Sequence, residues 1–463
     1  MDILIVLLAL GFLVLVAYRG FSVIVFAPVA ALLAVVCTEP VLVLPFYSGV
    51  FMDRLAAFLK LYFPMFLLGA LFGKLVEVSG FAHSIVRAIL ALLGPNRAIL
   101  SVVLVCAVLT YGGVSLFVVV FAVYPFAAEL YRRAAIPKRL LPATIALGAF
   151  TFTMDAMPGS PQVQNLIPTA FFHTDAWAAP RMGIAGSLFI FAAGMVYLEW
   201  RRRVARAAGE GYGEGHINEP AAQPDESAPP AWLAILPLVV VGVLNLLLGG
   251  WIRATYGRSF SLAPHVPDAE PIDVARFAAV WSVEGALLAA ILLVAPFAVA
   301  RSRKGMTAAI GTAAGGAMLA AMNVASEYGF GSVIAVLPGF HAMEGALARA
   351  VSNPLLNVAF TTNALAALTG SSSGGLSIVL AAMGARYLEA ARNAGIPPEV
   401  LHRVATMASG GMDTLPHNGA IITLLAITGL THRQAYRDIF AMTGIKVAAA
   451  FVGIAFYAVT GAY

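Results

Sequence analysis

The chain has 463 residues, of which 60% are hydrophobic and 11% charged, with a net charge of +5. That balance excludes a water-soluble globular domain, and the basic residues form short clusters between apolar runs, leaving no basic-aromatic surface for nucleic acid. Cys37 and Cys106 lie in apolar runs without metal-ligand spacing, so neither a disulfide framework nor a metal site is expected.

Apolar runs of about 18 or more residues, the length that crosses a bilayer, recur along the chain. The expected fold class is therefore an all-α polytopic membrane protein. The first run, residues 3–18, has no basic residue ahead of it, whereas a cleaved signal peptide carries its positive charge first. It reads as a retained helix with the N-terminus outside. Spans are expected at 21–37 and 56–77, followed by a helix at 81–93 whose His83 and Arg87 suit the membrane interface. Residues 97–131 hold an apolar stretch interrupted by Tyr111, Gly112 and Gly113. Its arms of roughly 13 to 16 residues are short for a 30 Å core at 1.5 Å per residue. A re-entrant hairpin is preferred to two full crossings. A broken helix is expected over 140–172 and a span over 183–200, which completes a first repeat at 1–200.

Residues 201–230 are polar and cannot bury enough apolar surface to fold alone. Their leading arginines place them in the cytoplasm by the positive-inside rule, together with the basic clusters at 74–97, 132–139 and 301–304. The second half, 231–463, is expected to repeat the plan: spans at 232–251, 276–299 and 306–325, an interfacial segment at 340–350, a hairpin at 354–389, a broken helix at 399–430 and a last span at 438–460. The C-terminus is then outside as well. Landmarks pair between the halves at offsets of 262, 260 and 258 residues, read from positions 112 and 374, 136 and 396, and 155 and 413. Each half crosses an odd number of times, so the second copy is inverted, a signature of secondary transporters.

The most helix-hostile residues carry the chemistry. TFTMDAMPGSPQ at 151–162 and SGGMDTLPHN at 409–418 share Met-Asp-x-(Met/Leu)-Pro. Broken backbone is tolerated at membrane depth only where it lines protein or a watery cavity. In the first copy the helix is expected to end near Asp155 and to restart with Ser160 as N-cap and Pro161 at the first helical position. The freed carbonyls with Asp155 suit a cation, and the freed N–H groups suit a carboxylate. No Lys or Arg lies inside either motif, so half-helix N-termini are expected to offset substrate charge. Asp155 and Asp413 are the ion-coupling candidates, because a carboxylate at that depth has to be paired or protonated. His417 titrates in the physiological range. Gln162, Gln164, Asn165 and Asn418 carry amides suited to hydroxyl groups, with helix capping and packing as the alternative roles. Asn323, Ser326 and Glu327 read either as substrate contacts or as a helix end facing water.

GGVSLFVVVFAVYP at 112–125, IPKRLLPATIALGAFTFTMDAMPGSPQVQNLIPT at 136–169 and MASGGMDTLPHNGAI at 407–421 resemble the gluconate permease (GntP) family of the ion transporter superfamily. The likeness extends over most of the chain outside 201–230. It implies a homodimeric elevator-type carrier of the bacterial inner membrane, importing a small carboxylate such as gluconate, 3-hydroxybutyrate or lactate, usually with a proton. Carried onto this sequence, the substrate-binding residues are Gly112, Gly113 and Ser115 at one tip and Ser371, Ser372 and Ser373 at the other. Ser160, Gln162, Asn165, Thr414, His417 and Asn418 supply the rest from the breaks. Sodium-using members of the superfamily often carry Ser-Asn-Thr at the tips, and neither tip here does, which favours protons without excluding Na+. No cofactor is expected. Two other classes fit parts of the sequence: a cation/proton exchanger without organic substrate, and an intramembrane serine hydrolase built on Gly370-Ser-Ser-Ser-Gly374 with Asp413 and His417. The hydrolase lacks the strand-turn-helix setting that its motif requires.

Overall fold

A computed structural model describes residues 2–19, 21–93, 97–114, 116–219, 229–263, 266, 270–342, 351–416 and 418–463. Apart from a two-stranded pairing of Ser259–Phe260 with Ile272–Asp273, its regular structure is helical. Helices satisfy their own backbone groups, which is the condition for crossing lipid. Among the described residues, six are long and apolar enough to cross: Pro40–Val78, Pro180–Ala207, Ala231–Tyr256, Val274–Ser302, Met306–Ala335 and His432–Thr460. Their outward faces are apolar too. On Ala231–Tyr256, Leu236, Val239, Val243, Leu246 and Leu247 are all exposed, a stripe that suits hydrocarbon and would be a liability in water.

The span expected at 56–77 starts earlier. Pro40–Val78 is continuous, with a wide π turn over Tyr47–Met52, and the charged Asp53 and Arg54 that interrupt its hydropathy sit exposed on its side. The segment 53–78 packs on Val274–Ser302 and Met306–Ala335, and Met306–Ala335 packs in turn on Val23–Thr38. Asp2–Tyr18 pairs with Val23–Thr38 as Ala231–Tyr256 pairs with Val274–Ser302, and Pro180–Ala207 packs along His432–Thr460.

Against this frame sit two helical hairpins. The first has arms Ala98–Tyr111 and Leu116–Arg133, about 21 and 27 Å long at 1.5 Å per residue. The second has arms Pro354–Thr369 and Ser372–Asn393, the latter about 33 Å. Glycines make both tips: Gly113 at φ +93° and Gly370 at φ +66°, backbone angles that a residue with a Cβ rarely adopts. Each hairpin's first arm packs on the interrupted helix that follows it in the chain: Ala98–Tyr111 on Leu141–Ala149, and Pro354–Thr369 on Pro398–Gly410.

The first part of the polar segment is held against its neighbours. The helix that begins at Pro180 continues to Ala207, and residues 209–219 then form a strap across the hairpin and both interrupted helices. Glu210 pairs with Arg139 at 2.7 Å, and Glu219 with Lys138 at 2.7 Å and Arg132 at 2.5 Å. Asn218 donates to Ala426 O at 3.0 Å, and its own carbonyl accepts from the Tyr124 hydroxyl at 2.8 Å. Composition fails to show this because the strap is held by ion pairs and backbone carbonyls, with little apolar burial. The hydrogen bond from Arg139 holds the Glu210 carboxyl below its ordinary range. Beneath it, Arg201 and Arg139 both reach the buried Asp438, at 2.6 and 3.1 Å.

Candidate functional site

The first interruption begins where Leu141–Ala149 runs into Phe150 and Thr151, the latter at φ −125° and ψ −122°. The carbonyls freed there do not stay free. Thr151 Oγ1 donates to Leu147 O at 2.5 Å, Thr153 Oγ1 to Gly148 O at 2.8 Å and Ser160 Oγ to Thr153 O at 2.6 Å. One turn, Phe152–Asp155, follows, and further turns over 156–159 lead to the short helical turns Val163–Leu166 and Thr169–Phe172, divided by Pro168. The expected half-helix capped by Ser160 is therefore absent. Ser160 spends its hydroxyl on Thr153 O, Gln162 stands at the N-cap without a side-chain capping bond, and a second proline stops the helix after one turn.

A cationic residue of the protein stands at this break. Lys446, from the middle of His432–Thr460, places its ammonium against Asp155 Oδ2 as an ion pair and lies 3.4 Å from Phe150 O. Both side chains are buried. They meet over Gly410, where a Cβ would collide with the carboxylate and the ammonium alike. Asp155 Oδ1 has no hydrogen-bond partner among the described residues.

Arg403 is the second buried cation. Its guanidinium donates to Ala178 O at 3.1 and 2.7 Å, to Ala176 O at 3.4 Å, and to Asp155 O and Asn165 Oδ1 at 3.0 Å each. It is a clamp that gathers the loop after the break, and these acceptors engage all three of its nitrogens. Asn165 is consumed in the same network, donating to Ser160 O at 2.8 Å and Ala176 O at 2.9 Å, so its amide does not face a ligand. Neither motif contains a Lys or Arg, but lysine and arginine from outside the motifs reach the break.

The second interruption is better formed. Pro398–Gly410 passes through a 3-10 turn, Gly411–Thr414, to Leu415 in an extended conformation, and Gly419–Thr428 restarts with Asn418 as N-cap, its Oδ1 accepting from Ala420 N at 2.8 Å. Asp413 is held by neutral donors. Ser372 N donates to Oδ1 at 3.0 Å and Asn418 Nδ2 at 3.3 Å, while Oδ2 accepts from Gln164 Nε2 at 3.0 Å and from the Ser372 hydroxyl. Asn418 also donates to Gly370 O at 2.8 Å. The tip of the second hairpin is thereby tied to the second break, and Gln164 ties both to the first.

The other predicted residues scatter. Gln162 donates to Thr110 O at 2.8 Å, while Gly113 rests near Pro161 and Leu287 and Gly112 against Leu238, so the described residues of the first tip meet its own break and the frame. Thr414 turns to the last helix, bonding Thr443 Oγ1 at 2.7 Å, and Ser371 Oγ caps the hairpin arm by accepting from Gly374 N at 3.0 Å, with Ser373 Oγ 3.4 Å away. Ser115 and His417 lie outside the described residues.

Glu327 does not face water. It is 5% exposed, its carboxylate lies against Gly374 of the second tip, and Oε2 has no partner among the described residues. Lys446 carried a signal in the sequence: a lone lysine inside an apolar span marks a functional position by default. Gln164 was legible as an amide within the first break, but its bond to Asp413 was not, and Arg403 carried no signal.

No protein-family model matches the chain. It is 54% identical over 474 residues, spanning all of both chains, to the uncharacterized transporter YxjC of Bacillus subtilis strain 168. Among solved structures its fold is similar to that of the YdaH transporter of Alcanivorax borkumensis, described as having an unusual topology, with a TM-score of 0.51 at 15% identity over 89% of this chain and 88% of the other. The chain therefore belongs to the family of YxjC, a family of multi-span, all-helical membrane transporters.

Proposed function

We propose that this transporter imports a small hydroxycarboxylate anion with a proton, by an elevator movement, and that it is related to the gluconate permease family of the ion transporter superfamily. The observation that carries the reading is the meeting of two interrupted helices, one from each half, each bringing an aspartate into the buried interior, with Gln164 bonded across to Asp413. Two correspondences support an inverted pair of halves: the matched helix pairs of the frame, and the hairpin that packs on the interrupted helix in each half. The moving unit is the pair of hairpins with the two interrupted helices, and the frame is made by 53–78, Val274–Ser302 and Met306–Ala335. Coupling needs both aspartates, Asp155 as the proton acceptor and Asp413 as the acid that ties the second hairpin tip to the breaks, and Ser372, Gln164 and Asn418 select the hydroxyl-bearing ligand. The setting is the bacterial inner membrane, as a homodimer with the arginine-rich segment cytoplasmic and both termini periplasmic.

In proteoliposomes, Asp155→Asn and Asp413→Asn should each abolish accumulation driven by a pH gradient. Full accumulation by both variants would refute the coupling role. The cluster of Asp155, Asp413 and Glu327 also fits an exchanger that moves only cations. Proton currents that need no organic acid would decide for it. The hydrolase reading finds no support in Ser372, whose hydroxyl is bonded directly to a carboxylate.

A further inference from the structure

We propose that Lys446 is the counter-charge for the substrate's carboxylate, occupied by Asp155 until Asp155 takes up the coupling proton. This rests on the reading of the protein as a proton-coupled carboxylate carrier, and it names the residue that recognises the charged end of the substrate.

The two buried cations differ in what holds them. Arg403 is engaged by five hydrogen bonds to backbone carbonyls and Asn165. Lys446 has one carboxylate and one carbonyl at 3.4 Å. An ammonium offers three donors and needs acceptors at each when it is buried. It can therefore change partners without dismantling the loop that Arg403 holds. Among the described residues, Asp155 is under-satisfied too, with Oδ1 unpartnered, whereas the hydrogen bonds to Asp413 come from neutral groups. Gly410 supplies the space in which the pair meets, and any side chain there would fill it.

Charge balance sets the coupling. Asp155, Asp413, Arg403 and Lys446 sum to zero, and an anion entering the same interior adds one negative charge that a single proton offsets. The proton goes onto an oxygen of Asp155, its ion pair with Lys446 is released, and the ammonium takes the substrate carboxylate in place of the aspartate. Nothing is oxidised or reduced, and the loaded site carries the same net charge as the empty one. The charged groups facing the pair are Arg403 from Pro398–Gly410 and Asp413 from the second break, and behind Arg403 stand His402 and Tyr111, whose hydroxyl donates to Pro158 O. Glu327, on the frame, acts on Asp413.

Binding of 3-hydroxybutyrate, lactate and gluconate to the purified full-length protein, in sodium-free buffer between about pH 5 and 8, tests this. In the wild type, affinity should rise as pH falls, by up to about tenfold per unit where Asp155 is ionised. Asp155→Asn should bind the same anion with an affinity that no longer depends on pH. Lys446→Gln should weaken binding by at least about 100-fold at every pH. The double variant, Asp155→Asn with Lys446→Gln, removes both charges together, so it should fold while still failing to bind. Recovery of wild-type binding in the double variant would make the ion pair merely structural and overturn the proposal, as would a Lys446→Gln protein with wild-type affinity and pH dependence. In those two cases proton-coupled uptake by the wild type survives. A wild type that binds none of the three anions at any pH would remove the transport reading as well.

Discussion

The two interruptions carry the same acidic residue at the same place in a repeated motif, yet the protein treats them differently. Asp413 is enclosed by uncharged donors from a hairpin tip, an N-cap and the other break, a geometry that fixes the tip and costs little to keep. Asp155 faces an ammonium from a distant helix and leaves one oxygen unused. A buried charge pair is poor evidence for stability, because desolvation consumes most of its attraction. Its value lies in exchangeability. The contrast teaches that a duplicated motif specifies where the chain breaks, while the neighbours decide whether the acid acts as an anchor or as an exchangeable partner.

The largest effect should therefore come from Asp413→Ala. It strands the amide and hydroxyl of Ser372, Gln164 Nε2 and one bond of Asn418 in the interior, each at roughly 1 to 3 kcal/mol before relaxation. A net loss of about 3 to 5 kcal/mol is expected, read as a lower melting temperature in detergent together with loss of uptake. Asp155→Asn should keep the wild-type melting temperature within a few degrees while losing coupling. Equal melting curves for the two variants would erase the distinction between them.

Gln164→Leu should come next. It breaks the link between the two interruptions and leaves Asp413 with the two Ser372 donors and Asn418, a loss of about 1 to 2 kcal/mol. Uptake should fall about tenfold through a weaker apparent affinity, since the hairpin tip stays tied through Ser372. An unchanged KM would show that the two breaks do not share one ligand. A smaller effect is expected of Gly374→Ala, whose methyl group would press on the Glu327 carboxylate. The slower uptake should be relieved by Glu327→Ala in the same chain, because the obstruction is that side chain. Failure of the second substitution to rescue would place the defect in the hairpin itself.

These residues also show how far the sequence could be read. Helix breaks announce themselves, since Asp155, Pro158 and Pro161 are conspicuous among apolar neighbours, and the hairpin tips follow from Gly112, Gly113 and the 369–375 run. Lys446 is conspicuous as a lone lysine in an apolar span, but the pairings that close the site are invisible locally. Lys446 reaches Asp155 across 291 positions and Arg403 reaches its carbonyl across 248. Neither lies in a motif, and neither pairing has a periodicity to betray it. The misplaced half-helix has a local cause: Ser160 followed by Pro161 is a good start signal, but Pro168 ends whatever it starts and Thr153 O takes the hydroxyl. Glu327 was legible only as polar, because its burial depends on a hairpin tip 47 residues further along the chain.

The smallest effect concerns the strap, where ion pairs do a job that burial does at the breaks. Glu210 bonds Arg139 twice at 2.7 Å but is partly exposed, so its contribution is in the range of surface pairs, about 0 to 1 kcal/mol. Its pKa is held below the unfolded value, first by the Arg139 hydrogen bond. Its stabilising effect is therefore present above the ordinary glutamate range, near 4.3, and is lost as pH falls through the depressed folded value. Limited proteolysis should find residues 209–219 protected at pH 7 and cut faster as the buffer is acidified below about 4, while Glu210→Gln should be cut faster already at neutral pH. Because the strap touches both interrupted helices through Asn218 and Arg139, its release should leave binding intact and alter only the rate of transport. A variant whose binding changed with the strap would mean that the two ends of the moving unit are not independent.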